Sequence, residues 1–181
     1  MTRNAAFVKL TLFLLAALSS LTSAQDTKQS AVPPLPADIP ANAEKFSMSL
    51  GGNLAGQQLI WKAADGTVHV FYQYNDRGRG PKTISVFSLD VNGIPVSETV
   101  DGNDYYKSKV SEKYSLEGAA ARWKNDYEEG EKDLHVPAVY VSINGAPAEI
   151  EFLVRAALGN GNRVALLPDG EAKVQRVAAD L

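Results

Sequence analysis

Two arginines and a lysine stand among glycines in the stretch Asp76-Arg77-Gly78-Arg79-Gly80-Pro81-Lys82. Guanidinium forks beside exposed backbone donors can make a small anion site. The phosphate-cradling pattern G-x-x-x-x-G-K-[ST] is missing, so the other reading is a long hairpin loop with solvated charges. A second feature is aromatic. Trp61, Phe71, Tyr72, Tyr74, Phe87 and Trp123 can line an apolar pocket or simply form a hydrophobic core. If there is a pocket, Tyr72, Tyr74 and Trp123 are its candidate lining, with Arg77 and Arg79 at its mouth. An apolar or anionic small ligand would suit that set.

Other chemistries find little footing. The chain has two histidines, His69 and His135, and no cysteine. Zinc sites draw on several such ligands, and neither H-x-H nor H-E-x-x-H occurs. Asp101-Gly102-Asn103-Asp104 is rich in oxygens, but it lacks the spacing and distal Glu of a calcium loop and reads as a solvated turn. Glu128, Glu129 and Glu131, flanked by Gly130 and Lys132, read as an exposed hairpin tip rather than a catalytic carboxylate pair. No G-x-S-x-G is present. The expectation is a chain with no catalytic residues, no metal ligands and no cofactor.

The first 24 residues read as a cleavable signal peptide. Arg3 and Lys9 are basic, Leu10 to Leu18 is apolar apart from Thr11, and Thr22-Ser23-Ala24 supplies small residues before a cut at Ala24/Gln25. That apolar run is shorter than the roughly 20 residues a membrane-spanning helix needs. The expected compartment is the periplasm or the outside medium, with no membrane attachment after cleavage. Of 181 residues, 157 follow the cut, enough for one domain with a substantial core. They carry 16 basic and 21 acidic residues once Arg3 and Lys9 are removed. Such a balance has no bulk attraction for nucleic acid or anionic lipid.

Residues 25–44 include Pro33, Pro34, Pro36 and Pro40 and read as a disordered or semi-extended tether. From residue 45 to 181 the pattern is that of a β-rich domain. Strands are expected at 46–50, 55–63, 67–75, 83–90, 95–101, 109–116, 119–126, 164–167 and 172–177. Asp65-Gly66 and Asn92-Gly93 mark tight turns, and Glu117-Gly118 and Glu129-Gly130 are further turn candidates. Turns this frequent favour an antiparallel meander. One helix is expected over 147–158, with Pro147 at its first position and Gly159 as its left-handed cap. Its apolar stripe would be Ile150, Leu153, Val154, Ala157 and Leu158, with Phe152 off the stripe. Gly51, Gly52 and Gly56 suggest strand curvature. The fold class is α+β, mainly β: an antiparallel curved sheet or incomplete barrel with one packed helix.

The strings FSMSLGGNLAGQQLIW, VFYQYNDRGRGPKTISVFSLDVNGIPVSETVDGNDYYK, PAVYVSINGAPAEIEFLVRAAL and LLPDGEAKVQRV resemble the N-terminal β-domain that precedes the catalytic barrel in secreted bacterial amidohydrolases. No position here matches the metal motifs of that barrel. The resemblance implies a non-catalytic accessory module whose partner, an amidohydrolase barrel or another protein, docks at a sheet edge near Lys173–Leu181. FSMSLGGNLAGQ is also similar to the first hairpin of periplasmic curved-sheet domains that hold lipid or another apolar ligand. That similarity implies a stand-alone binding module.

Overall fold

The computed structural model describes residues 35–175 and 177. The expected signal peptide and residues 25–34, half of the proline-rich stretch, lie outside the described residues. Eight strands follow one another as an antiparallel meander: β1 (Glu44–Leu50), β2 (Asn53–Lys62), β3 (Val68–Tyr74), β4 (Lys82–Leu89), β5 (Pro95–Asn103), β6 (Lys109–Glu117), β7 (Ala120–Lys124) and β8 (Glu129–Asp133). The sheet does not close, so β1 and β8 are its edges. A second sheet has the order β11 (Glu171–Lys173), β10 (Arg163–Leu167), β9 (Ala138–Tyr140). The helix α1 (Glu149–Gly159) connects β9 to β10, and these two strands are parallel. The architecture is thus the expected mainly β, α+β fold, with one parallel crossover that turn frequency does not reveal.

Asp and Asn side chains set the hairpins. Asp65 Oδ1 accepts the Thr67 N–H at 3.0 Å beside Gly66, whose φ is +90°. Asp90 Oδ1 accepts the N–H groups of Asn92 and Ile94, both at 2.8 Å, around Gly93. Gly51 and Gly52, expected inside strands, instead form the β1–β2 turn with φ of +56° and +82°, which glycine adopts at little cost. Gly56 does lie within β2, and a Cβ there would meet the Gln73 carbonyl oxygen at 2.3 Å.

The acidic stretch after β7 also differs from expectation. The turn is made by Asn125, whose Oδ1 accepts the N–H groups of Tyr127 and Glu128 at 2.8 and 2.9 Å. Glu129 and Gly130 begin β8 instead of turning. Gly130 is needed there because the Trp123 indole lies across it, and a Cβ would come within 2.5 Å of the ring.

Cross-strand register lines up rows of side chains on the inner face. One row runs Val68, Phe87, Glu98, Tyr114, Trp123 and Gly130, from β3 to β8. The next runs Ile60, Val70, Ser85, Val100 and Glu112. The segment 138–157 covers this face. Tyr140 and Leu167 pack with Tyr114, Ala121 and Trp123, while Ala146 and Phe152 pack with Val70, Tyr72 and Phe87. On the opposite face, Pro36 and Ile39 share a hollow with Phe71 and Ile84.

The helix buries Phe152, Ala156 and Ala157, while Ile150 and Leu158 are exposed. The expected stripe holds at Ala157 and Leu153, which face the core, and fails at Ile150 and Leu158, while Phe152, expected off the stripe, is buried. Residues 152–154 and 156–158 are apolar on most sides of the helix, so periodicity alone is ambiguous. The small Ala156 and Ala157 let the backbone approach Val139 and Val164, and the Phe152 ring meets that of Phe87 at 4.9 Å. The left-handed residues after the helix are Gly161 and Asn162, not Gly159. Phe152→Ala should cost about 3–5 kcal/mol of unfolding free energy. Leu158→Ala should stay within about 0.5 kcal/mol. Denaturant unfolding of the two variants checks which face is inside.

Candidate functional site

Three glutamates meet where the covering segment lies on the sheet. Glu112, on β6, stands in the apolar series Val110, Glu112, Tyr114, Leu116. Glu98, on β5, follows Val96 and precedes Val100 in the same alternation. Alternation therefore drives both carboxylates into the interior. Glu149 opens the helix.

Glu112 is almost wholly buried, and it accepts four hydrogen bonds. They come from Ile143 N (2.9 Å), Asn144 N (2.8 Å), Asn144 Nδ2 (3.0 Å) and the Tyr140 hydroxyl (3.3 Å). Glu149 Oε1 accepts the Ala146 N–H at 2.7 Å, three residues back, as the Glu of a capping box does. The same oxygen takes the Ser85 hydroxyl at 3.2 Å, and Oε2 takes the Ser142 hydroxyl at 2.5 Å. The helix begins at Glu149 with Ala148 as its N-cap, so Pro147 stands in the preceding turn and not at the expected first helical position.

Glu98 has no such set of donors. Ser142 bonds to it, yet its Oε1 is buried without a partner, as is the hydroxyl of its cross-strand neighbour Tyr114. Burial, reinforced by the charges of Glu149 and Glu112, pushes its carboxyl up to about 9. Glu98 is therefore protonated at neutral pH. The Ser142 hydroxyl has a single proton and gives it to Glu149, so the Glu98–Ser142 bond has the carboxylic acid as donor. Glu149 is also raised, first by burial. Burial likewise lifts the Tyr114 and Tyr140 hydroxyls to about 12, and their rings stack 5.2 Å apart. The three carboxylates are not placed to hold a metal ion, and no group of three or more His, Asp or Glu among the described residues is.

Beside this cluster lies a cavity of about 310 Å³, between residues 139–142 and the first turns of α1. Its walls are Val139, Val141, Pro147, Ile150 and Leu153, with Tyr72 closing one side and Ser142 and Glu149 supplying polar groups.

The sequence-derived candidates are not gathered at one place. Tyr72 lines the cavity, and its hydroxyl, raised to about 12 by burial, faces Met48 Sδ at 3.6 Å. Tyr74 lies between Tyr72 and Tyr105, its ring tilted to both with centroids at 5.9 and 6.3 Å, and does not line the cavity. Arg77 pairs with Asp76 at 3.0 Å, and Arg79 lies over the Tyr105 ring at 5.1 Å. Asp76 also accepts the Tyr105 hydroxyl at 2.6 Å, and Lys107 donates to the Gly80 carbonyl at 2.6 Å. The arginine loop is thus laced to the loop after β5. Trp123 packs in the Tyr114–Tyr140 cluster on β7, with β4, β5 and β6 between it and β3.

Thr67 and His69 make the nearest approach to a nucleophile–base pair, with Oγ1 and Nε2 2.9 Å apart. The Thr67 proton goes to Asp65 Oδ1 at 2.7 Å, so the histidine donates to the threonine and cannot act as its base. His69 stacks on Trp61 at 5.1 Å, which makes the group a brace for the β2–β3 turn.

Sequence reasoning missed Glu98 and Glu112. Their signal was present: each is an acid in an otherwise apolar inward series. Comparison with family models, curated proteins and solved structures finds no match.

The raised Glu98 carboxyl makes stability pH-dependent with a definite sign. Between its ordinary value of 4.5 and about 9, the folded chain keeps a proton that the unfolded chain has lost. Stability is therefore greatest at the acid end of this window and falls as pH rises, with a slope of up to about 1.4 kcal/mol per pH unit. Melting temperature should drop between pH 5 and pH 9. Glu98→Gln, an amide that mimics the protonated acid, should flatten the profile. A flat wild-type profile would contradict the assignment.

Proposed function

We propose that this chain is an exported, non-catalytic binding module that takes a small, largely apolar ligand into the cavity beside α1. The cavity itself carries the reading. It is concave and mostly apolar, it has a few convergent polar groups at one end, and its volume lies at the lower end of the range for small-ligand sites. The walls rest on three packed clusters, which supports a site formed before the ligand arrives. Export rests on the basic, apolar and small-residue order of residues 1–24. The carboxylates nearby hold backbone and hydroxyl donors, an arrangement that supports a structural role for them over a catalytic one.

A second reading, the accessory domain of the amidohydrolase-associated type, is favoured by one observation. The edge strand β1 is unpaired along one side and exposes Phe46 and Leu50, with Leu54 beside them on β2. The opposite edge, β8, carries Glu129, Glu131, Lys132 and Asp133, the charges that discourage pairing. A partner protein would add to β1, and the short edge strand β11 offers a lesser site near Lys173.

Two measurements on the protein purified after export from a bacterial host separate these readings. Native mass spectrometry and thermal shift with short-chain alcohols should show saturable binding to a monomer, abolished by Leu153→Trp, which fills the cavity. Concentration-dependent association that Phe46→Lys removes, with no ligand binding, would favour the docking module instead.

A further inference from the structure

The polar end of the cavity restricts what its occupant can be. Glu149 and Ser142 supply polar groups there beside Tyr72 and Tyr140, whose hydroxyl protons are already given to Met48 and Glu112, and the carboxylate can only accept hydrogen bonds. Immediately behind them lie Glu98 and Glu112. Among the described residues, none of the three glutamates forms an ion pair with a lysine, arginine or histidine. Carboxyl groups buried together without a countercharge are costly to keep ionised. A second observation is independent of their number: Glu98, 97% buried and bonded to Ser142 behind the cavity wall, keeps an oxygen without a partner. The cluster thus has acceptor capacity in excess of its donors.

We infer that the ligand of this cavity is a small organic amine, its protonated nitrogen seated at the Ser142–Glu149 end and its apolar body lying along Val141, Ile150 and Leu153. This rests on the binding reading above and narrows it by charge. An ammonium brings three donors and a positive charge to a wall made of acceptors. A carboxylate ligand would meet like charge at close range. The cation also stabilises the ionised form of the acids around it, so binding releases a proton from the shared Glu98–Ser142–Glu149 system to solvent.

The test compares three probes of equal length on the exported, purified protein: hexylamine, hexanol and hexanoate, titrated by calorimetry at pH 7. Hexylamine should bind at least tenfold more tightly than hexanol, and hexanoate most weakly. Repeating the hexylamine titration in two buffers of different ionisation enthalpy should reveal proton release. Glu149→Gln should bring hexylamine down to the affinity of hexanol for the same variant, and Leu153→Trp should abolish all three. Equal affinities, or a preference for hexanoate, would overturn the inference and leave the binding module standing. If none of the three binds, the binding reading falls and the inference with it. The wild-type comparison decides the matter even if Glu149→Gln does not fold.

Discussion

The carboxylate of Glu112 is the point on which the rest of the structure depends. It gathers two backbone N–H groups, an amide and a phenol from a segment that is otherwise irregular, and it fixes that segment against the sheet. Residues 141–148 have no ladder of their own, so their backbone donors must find acceptors elsewhere. Glu112 serves Ile143 and Asn144, Glu149 serves Ala146, and Gln58 on β2 serves Ala148 at 3.0 Å. Apolar packing could press this segment onto the sheet but could not satisfy those groups. Side chains with oxygens were required, and strand alternation delivers them from β2 and β6.

That solution has an electrostatic consequence. Two carboxyl groups are used well as acceptors, and the third, Glu98, is left with few donors in the same interior. The proton it retains lets a carboxylic acid stand where an ionised one would repel its neighbours. Burial beside Tyr114, its cross-strand neighbour, sharpens the effect. The site is thus a by-product of roofing a curved sheet with a non-repetitive segment, and the adjoining cavity inherits its polarity.

The meander was legible because its turns declare themselves. Asp65-Gly66, Asn92-Gly93 and Glu117-Gly118 lie between runs of alternating residues, and the strand limits there fall within a few residues of where those pairs place them, whereas Glu129-Gly130 misled because it begins β8. β9 was not legible, since three residues, Ala138–Tyr140, carry no period. The inward face of the helix was anticipated at Leu153 and Ala157 but misjudged at Ile150, Phe152 and Leu158, because several apolar choices were nearly equivalent and only close approach to β9 and β10 selects the one with alanines. Of the site, Tyr72 was anticipated, whereas the glutamates were not. Acids were sought in clusters along the chain, as at Glu128–Glu131, but Glu98, Glu112 and Glu149 are brought together by register and by the fold-back of the helix. The arginine loop drew notice for its charge, and the structure answers that charge locally with Asp76 and Tyr105.

The connectivity also divides the chain into parts that assemble under different constraints. Each strand of the large sheet pairs with its immediate successor, so its contacts close short loops and can form as the chain lengthens. The covering segment is different. Its bonds reach back 31 residues to Glu112, 64 from Glu149 to Ser85 and 90 from Ala148 to Gln58. Those closures carry the larger entropic cost, and they cannot be made until the strands that receive them are in place. Until then the inward row of the sheet, with its acids and tyrosines, faces water. The interior of this protein is therefore closed by the segment that follows the eight-stranded sheet, through its longest-range contacts.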